Sequence, residues 1–233
     1  ILEHDFFANP LSFSTLNLFL TCPRKYYYTK IAHIDAAKAI ASELGTKQGN
    51  SVHSALFEYY TSEFYKQNNT FDLAVFKEML AKQNLTPLEF EIWAHKFKEY
   101  EIYENERLRA GFRVLECEKE MQSEFCGVQI KGFIDRIDVG ANGDVLILDY
   151  KTGEANVNSL QLAFYEALYG GEVRSAYYAL KNEPSLLCPK KSVDDLGGEI
   201  EKLKTINKTK INFERKSSAC AFCEYVTLCR REL

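Results

Sequence analysis

The chain has 233 residues, of which 46% are hydrophobic and 27% are charged, and its formal net charge is −4. This balance is typical of a globular protein and excludes an overall basic coat, although not a local basic path for nucleic acid. No apolar run reaches the roughly 20 residues of a membrane span, so no membrane partner is expected.

The first residues lack a basic region followed by an apolar one, so no secretory signal is predicted and we expect a cytoplasmic protein. The chain does not begin with Met. That start is consistent with a domain cut from a larger protein.

The first half of the chain is predicted to be mostly helical. Residues 12–20 begin with capping residues, carry apolar residues at helical spacing and stop before a Cys-Pro pair. Asn50 or Ser51 is placed to cap a second helix. Residues 71–108 have a helical pattern that Pro87 interrupts.

Beyond Gly111 the pattern changes to that of strands. The predicted elements are strands at 112–125, 128–139 and 144–150, a helix capped at Asn158-Ser159 and stopped by Gly170-Gly171, a strand at 173–180 and a loop at 181–200. We therefore expect one α/β domain over 1–233, in which helices flank a mixed central sheet. Its parts are a mainly helical portion (1–110), the sheet core (111–180) and a basic, Cys-rich tail (201–233).

The turn between the second and third strands decides which side chains meet. A three-residue loop at 141–143, with Gly143 in the left-handed region, pairs Gly140 with Asp144. In that register Asp135 lies opposite Asp149, on the same face of the sheet. A two-residue Asn-Gly turn would make the two carboxylates face away from each other. We predict the three-residue loop.

Two adjacent carboxylates repel each other unless a proton or a cation bridges them. Aspartate oxygens favour Mg²⁺ or Mn²⁺, and such an ion polarises a phosphate and activates water. Lys151 points to the same side as Asp149 and can steady developing negative charge. A salt-bridged Asp–Lys pair at a surface strand end would have the same spacing, so the spacing alone leaves both interpretations open.

The two strands resemble motifs of RecB-like nucleases of the PD-(D/E)XK superfamily. The similar segments are Gly132-Phe133-Ile134-Asp135-Arg136-Ile137-Asp138, Leu148-Asp149-Tyr150-Lys151-Thr152-Gly153, an upstream segment from Gly45 to His53, and Gln161-Leu162-Ala163-Phe164-Tyr165. The resemblance implies a restriction-endonuclease-like core that hydrolyses DNA. It also implies that His53, Asp135, Asp149 and the Tyr150 carbonyl bind the metal, with Lys151, Gln161 and Tyr165 in the catalytic site.

Four of the seven cysteines form a second pattern: Cys22, Cys220, Cys223 and Cys229. A C-x₂-C pair in a chain without a secretory signal suggests a metal or redox site. Four thiolates suit either zinc or an iron–sulfur cluster. Cys117, Cys126 and Cys188 stand outside the pattern.

One early cysteine followed by C-x₂-C-x₅-C at the end resembles the iron–sulfur branch of the RecB-like nucleases. The segment 12–27 is particularly similar to the entry of the AddB nuclease domain. This resemblance implies a 4Fe-4S cluster, with zinc as the alternative, and a helicase subunit or region as partner. Because neither end looks apolar enough to hold itself down, we expect the cluster to staple the two ends together.

Arg24 and Lys25 are the candidate DNA contacts, together with the Tyr26-Tyr27-Tyr28 run for base stacking. At least one of these tyrosines is expected to be in the core. The chain contains no P-loop sequence for ATP. The expected function is an Mg²⁺- or Mn²⁺-dependent deoxyribonuclease, an exonuclease of recombination and repair. A non-catalytic DNA-binding module and a zinc-stabilised interaction domain remain as alternatives.

Overall fold

A computed structural model describes residues 1–34, 40–216, 218, 220–221 and 223–230, without the side chains of 40–46 and 230. In the first half, two short strands and six helices follow one another. They are β1 (Leu2–Glu3), β2 (Leu11–Ser12), α1 (Phe13–Thr21), α2 (Pro23–Tyr26), α3 (Ile40–Thr61), α4 (Glu63–Asn68), α5 (Leu73–Ala81) and α6 (Pro87–Arg109), with a π-helical turn at Tyr27–Ile31 after α2.

The second half contains the long strands. Its elements are β3 (Arg113–Phe125), β4 (Val128–Val139), β5 (Val145–Lys151), α7 (Gln161–Tyr169), β6 (Val173–Ala179), β7 (Ser185–Leu187), α8 (Val193–Ile206), β8 (Lys210–Ile211) and α9 (Val226–Arg230). Within the described ranges, no helix combines the length and apolar character needed to cross a bilayer.

Capping chemistry fixes several helix starts as the sequence predicts. The Ser12 hydroxyl accepts from the Thr15 main-chain nitrogen at the start of α1. Helix α6 begins at Pro87 with a reciprocal capping box between Thr86 and Glu89. The predicted interruption at Pro87 is therefore confirmed as the start of a new helix.

The predicted start of the second helix at Asn50 or Ser51 is wrong, because α3 already begins at Ile40. Both residues lie inside it. Gly49, which precedes them, is a packing glycine: a Cβ there would come within 3.1 Å of the Thr152 hydroxyl. A small residue at a close contact can thus look like a helix boundary.

The main sheet has six strands. Five of them follow one another in the order β2-β4-β5-β6-β7, and the sixth, β3, pairs with β4. Strands β4 and β5 are antiparallel, whereas β5 and β6 are parallel, so the predicted mixed sheet with flanking helices is confirmed.

The β4–β5 hairpin has the predicted three-residue loop. Val139 pairs with Val145 and Arg136 with Leu148. The Gly140 nitrogen donates to the Asp144 carbonyl at 2.8 Å, and Gly143 has a φ of +85°. The next step of this register places Asp135 opposite Asp149.

Two other sequence predictions are corrected. The segment 181–200 is not a loop, because it contains β7 and most of α8. Leu196, Ile200 and Leu203 form the buried stripe of α8, and its Gly197 packs against the Cys126 sulfur. Helix α7 begins at Gln161, slightly later than predicted, although the Ser159 hydroxyl does accept from the Gln161 nitrogen.

Apolar cores lie on both sides of the sheet. One packs α1 and α7 against β4, and the other packs α3, α5 and α6 against β5 and β6. A fully buried ionic network lies in the second core: Arg136 donates to Glu104 at 2.6 Å and to Asp138 at 2.6 Å.

The expectation that the chain ends lack apolar anchors is wrong. Tyr26, Tyr28, Phe213 and Tyr225 are all buried, and the rings of Tyr26 and Phe213 lie parallel at 6.3 Å. Strand β1 also pairs with β8, which joins the start of the chain to residues 210–211. Aromatic packing and strand pairing therefore anchor both ends of the chain.

Candidate metal-dependent active site

Asp135 lies where three elements meet. Its Oδ2 accepts a hydrogen bond from the Tyr150 main-chain nitrogen at 2.9 Å, across the β4–β5 pair. The same oxygen is 3.4 Å from Nδ1 of His53, which projects from α3. The sheet and the helix thus bring together two residues that are far apart in the chain, as the motif resemblance implies.

Glu118 completes this group, and the sequence analysis missed it. Ligand atoms of His53, Glu118 and Asp135 all lie within 4.8 Å of one another. The β3–β4 register, in which Cys117 pairs with Arg136 and Lys119 with Ile134, puts Glu118 opposite Asp135. Glu118 has a φ of +48°, which is unusual for a residue with a side chain and marks a local distortion of the strand.

Asp149 is held by a separate set of polar contacts. Its Oδ1 accepts from the Gln161 amide at 2.8 Å, and its Oδ2 lies against the Lys151 ammonium. Lys151 also donates to the Gln161 carbonyl oxygen at 3.0 Å, and the same Gln161 amide contacts the Tyr165 hydroxyl at 3.1 Å. The side-chain amide of Gln161 therefore positions the carboxylate through its nitrogen and the lysine through its oxygen.

Burial disfavours the ionised form of Asp135 and of Asp149. Desolvation raises the pKa of Asp135 to about 7, although the hydrogen bond from Tyr150 opposes the shift. Desolvation, with repulsion from Asp135, raises the pKa of Asp149 to about 7 against the pull of Lys151. Burial also lowers the pKa of His53, which favours the neutral imidazole. A bound cation would stabilise the ionised form of both aspartates.

The donor set fits a divalent metal. The carboxylate oxygens are ligands that Mg²⁺ and Mn²⁺ prefer, and the His53 imidazole adds one nitrogen donor. Both kinds of donor face a cleft of about 490 Å³ that is open to solvent. The Asp149 carboxylate is buried, with the Gln161 amide at its Oδ1 and the Lys151 ammonium at its Oδ2. A hydrogen bond also joins His53 to the Tyr150 main chain, whose carbonyl is the remaining predicted ligand.

The family comparison agrees with this geometry. A family model described as "PD-(D/E)XK nuclease superfamily" matches residues 10–230, almost the whole chain. The chain belongs to the PD-(D/E)XK nuclease superfamily. Nucleases of this superfamily use divalent metals, and the acidic group around Asp135 is a possible site for one.

Two individual relatives extend the comparison. A protein from Rickettsia bellii (strain RML369-C), described as "Uncharacterized protein", is 29% identical over 161 residues. The match covers 64% of this nuclease-superfamily chain and 19% of the relative, so the chain spans about a fifth of that protein's length. A crystal structure from Eubacterium rectale, named "Putative exonuclease", has a TM-score of 0.55 at 14% identity and covers 98% of this chain and 92% of its own. At that identity it shows the shared fold alone.

The four cysteines of the second pattern line one cavity of this PD-(D/E)XK chain. The cavity has a volume of about 240 Å³, and Arg24, Lys25, Arg215 and Lys216 also border it. Cys22 is buried, and its sulfur accepts from the Lys216 main-chain nitrogen at 3.4 Å. Among the described residues, no three of the cysteine sulfurs lie within 4.8 Å of one another.

The predicted DNA contacts lie at the rim of the same cavity. Arg24 Nε donates to the Phe213 carbonyl at 2.7 Å, and Lys25 pairs with Glu224 at 2.8 Å. Both side chains therefore help to hold the C-terminal tail. Tyr26 and Tyr28 are buried, so base stacking by these two is excluded in this structure, and Tyr27 is half-buried.

Proposed function

We propose that this domain of 1–233 is an Mg²⁺- or Mn²⁺-dependent deoxyribonuclease that hydrolyses phosphodiester bonds. The observation that carries the proposal is the meeting of His53, Asp135 and Glu118 beside an Asp149–Lys151–Gln161 cluster, at a cleft large enough for a phosphodiester.

His53, Asp135, Asp149 and the Tyr150 carbonyl are the proposed metal ligands, and Glu118 is a further one that the structure adds. A divalent cation held there supplies charge that polarises a phosphate oxygen and lowers the pKa of water. Lys151, whose ammonium lies against Asp149, would stabilise the negative charge that develops during hydrolysis. Gln161 keeps Lys151 and Asp149 in place, and Tyr165 supports Gln161.

We propose further that the cysteine cavity holds a 4Fe-4S cluster. Cys22, Cys220, Cys223 and Cys229 line this one cavity, and four thiolates suit either zinc or an iron–sulfur cluster. A larger cluster suits the cavity, and the surrounding Arg and Lys side chains suit its negative charge. Zinc is the alternative occupant.

The biological setting is proposed from the AddB-like motifs alone. They favour an exonuclease that acts in DNA recombination and repair, in the cytoplasm, with a helicase subunit or a helicase region of a longer chain as its partner. Arg24 and Lys25 are proposed to contact DNA at the cavity rim, where Lys25 would exchange Glu224 for a phosphate. A non-catalytic DNA-binding module is the competing function.

End-labelled single- and double-stranded DNA, incubated with Mg²⁺, Mn²⁺ or EDTA, tests the proposal. We expect cleavage that requires the metal and that Asp149→Ala abolishes while the circular dichroism spectrum stays that of the native chain. Metal-independent binding without cleavage would favour the DNA-binding module instead. Visible absorption that is lost with iron would separate an iron–sulfur cluster from zinc.

A further inference from the structure

The chain contains 31 aromatic residues: 16 Phe, 14 Tyr and one Trp. Among those that the structure describes, only Phe57 and Phe133 are classed as exposed, at 41% and 54%. Single exposed apolar residues are ordinary on protein surfaces. What is unusual is their position, because each lies next to a different proposed metal ligand.

Phe57 follows His53 by four residues on α3, which places the two side chains on one face of the helix. Phe57, His53, Glu118 and Asp135 line the same cleft. The ring is therefore part of the cleft wall, one helical turn beyond the imidazole.

Phe133 precedes Asp135 by two residues on β4, a separation of about 6.8 Å along the strand. Residues 129, 131 and 133 are exposed and alternate with buried or half-buried neighbours, so Phe133 and Asp135 share the open side of β4. Gly132 points the other way, because a Cβ there would meet Leu168 of α7 at 3.2 Å. The two exposed rings thus belong to different elements that meet at the metal-ligand group.

The charge around the rings selects the part of a nucleotide that fits there. Glu120 pairs directly across the sheet from Phe133, and Glu118 stands beside the cleft that Phe57 lines. Carboxylates repel a phosphate, whereas an aromatic face stacks on any base. Bases are therefore favoured at the two rings, and the phosphate between them is favoured at the metal.

We propose that Phe57 and Phe133 stack on nucleobases at the two sides of the scissile phosphate, so that the substrate of this site is unpaired, single-stranded DNA. In a duplex each base already stacks on its neighbours, so its face is not available to a side chain unless the strand is melted. This inference rests on the proposed nuclease function and adds the strand type on which the site acts.

Binding and cleavage are measured separately, so that the two proposals can fail separately. Affinity for a single strand carrying 2-aminopurine is measured in Mg²⁺ by anisotropy and by fluorescence quenching, on an Asp149→Asn background that does not cut. Cleavage of the same strand is measured in the otherwise native chain. Absence of cleavage together with base quenching would overturn the nuclease proposal and leave the stacking inference standing.

We expect Phe57→Ala and Phe133→Ala each to weaken single-strand binding about tenfold and to reduce the quenching, while duplex affinity changes less than about twofold. Phe57→Trp should retain affinity, because it retains an aromatic face, whereas Phe57→Leu should not. Leu88→Ala removes an apolar side chain that is 71% exposed on α6 and serves as the matched control.

Three results would overturn the inference. One is native affinity in both alanine variants. Another is rescue by leucine as complete as by tryptophan, which would indicate an apolar docking patch for another protein. The third is an equal loss for single strand and duplex. Tighter binding of single-stranded RNA than of DNA with the same sequence would contradict the assignment to DNA.

Discussion

Gln161 donates to Asp149 at 2.8 Å and through its other amide atom accepts from Lys151 at 3.0 Å. The Asp149 carboxylate and the Lys151 ammonium also contact each other directly. The amide has both a donor and an acceptor, so it can satisfy the two charged groups at once. This makes the residue a positioning group for the proposed metal ligand and for the catalytic lysine.

Changes at Gln161 are therefore expected to lower activity without unfolding the chain. Gln161→Ala should reduce kcat about 10- to 100-fold, the range found for groups that orient metal ligands. Gln161→Glu should reduce it further, because it replaces the donor facing Asp149 by a second carboxylate. Gln67→Glu makes the same chemical change on the exposed part of α4 and should leave kcat unchanged. Equal rates for native protein and Gln161→Glu would contradict the assigned role.

The raised pKa values of Asp135 and Asp149 predict a pH dependence of the metal-free protein. Both carboxyls have a pKa of about 7 in the fold and about 4 when unfolded, so the folded state holds more protons between these values. Their contribution to stability is fully present below pH 4 and is lost as pH rises through 7. The slope is up to about 1.4 kcal/mol per pH unit for each carboxyl.

A divalent cation should replace those protons. The increase in melting temperature caused by Mn²⁺ is therefore expected to be small at pH 6 and larger at pH 8. Calorimetric titration at pH 6.5 should show proton release into the buffer. Asp149→Asn should reduce both effects, and Asp144→Asn, at an exposed carboxylate in the hairpin, should reduce neither. A metal effect that is independent of pH would show that the two carboxyls are not ligands.

The buried network around Glu104 predicts a large stability effect away from the site. Glu104 accepts from Arg136 at 2.6 Å, from Arg107 at 3.0 Å and from the Tyr178 hydroxyl at 2.9 Å. Burial opposes its ionisation, but Arg136 and Arg107 outweigh burial and lower its pKa. Glu104→Gln leaves buried guanidinium charge uncompensated.

We expect Glu104→Gln to lower the free energy of unfolding by about 3–5 kcal/mol, measured by urea denaturation. Glu99→Gln is the control, because Glu99 lies on the same helix and is exposed. A loss below about 1 kcal/mol for Glu104→Gln would mean that the network is not fully ionised.

The aromatic side chains that anchor the chain ends predict how the loss of a cysteine affects stability. Cys22→Ala should abolish iron binding but lower the melting temperature only modestly, because Tyr26, Phe213 and Tyr225 still pack. Tyr26→Ala should be the more destabilising change, by about 3–5 kcal/mol. Cys188→Ala, at an exposed cysteine, should retain both iron and stability. Full iron content in Cys22→Ala would exclude Cys22 as a ligand.

Features that depend on local turns could be predicted from the sequence, whereas features that depend on contacts between distant residues could not. The β4–β5 register depends on a local turn, so it could be deduced from Gly143 and the residue count. Glu118 could have been identified in the same way. A two-residue turn at Cys126-Gly127 pairs Phe125 with Val128, and extending that register along the strands pairs Glu118 with Asp135. The positive φ of Glu118, however, could not be predicted from its residue type, because a residue with a side chain rarely adopts it.

Helix α8 was missed for a different reason. Its capping box at Ser192 and Asp195 and its apolar spacing are readable in the sequence, although Gly197-Gly198, inside the helix, are weak helix formers. Gly197 lies near Phe125 and Cys126, where a Cβ would make ordinary van der Waals contact, so the structure does not require a glycine at this position. The anchoring of the chain ends escaped prediction because it depends on aromatic pairs almost 190 residues apart.

The central claim is that one metal ion binds where α3, β3 and β4 meet. Anomalous diffraction from crystals grown with Mn²⁺ tests it most directly. The account predicts a single strong peak in coordination reach of His53 Nδ1 and the Asp135 carboxylate, which disappears in Asp135→Asn crystals. A peak elsewhere in the chain, or cleavage activity in Mn²⁺ with no peak at these residues, would contradict it.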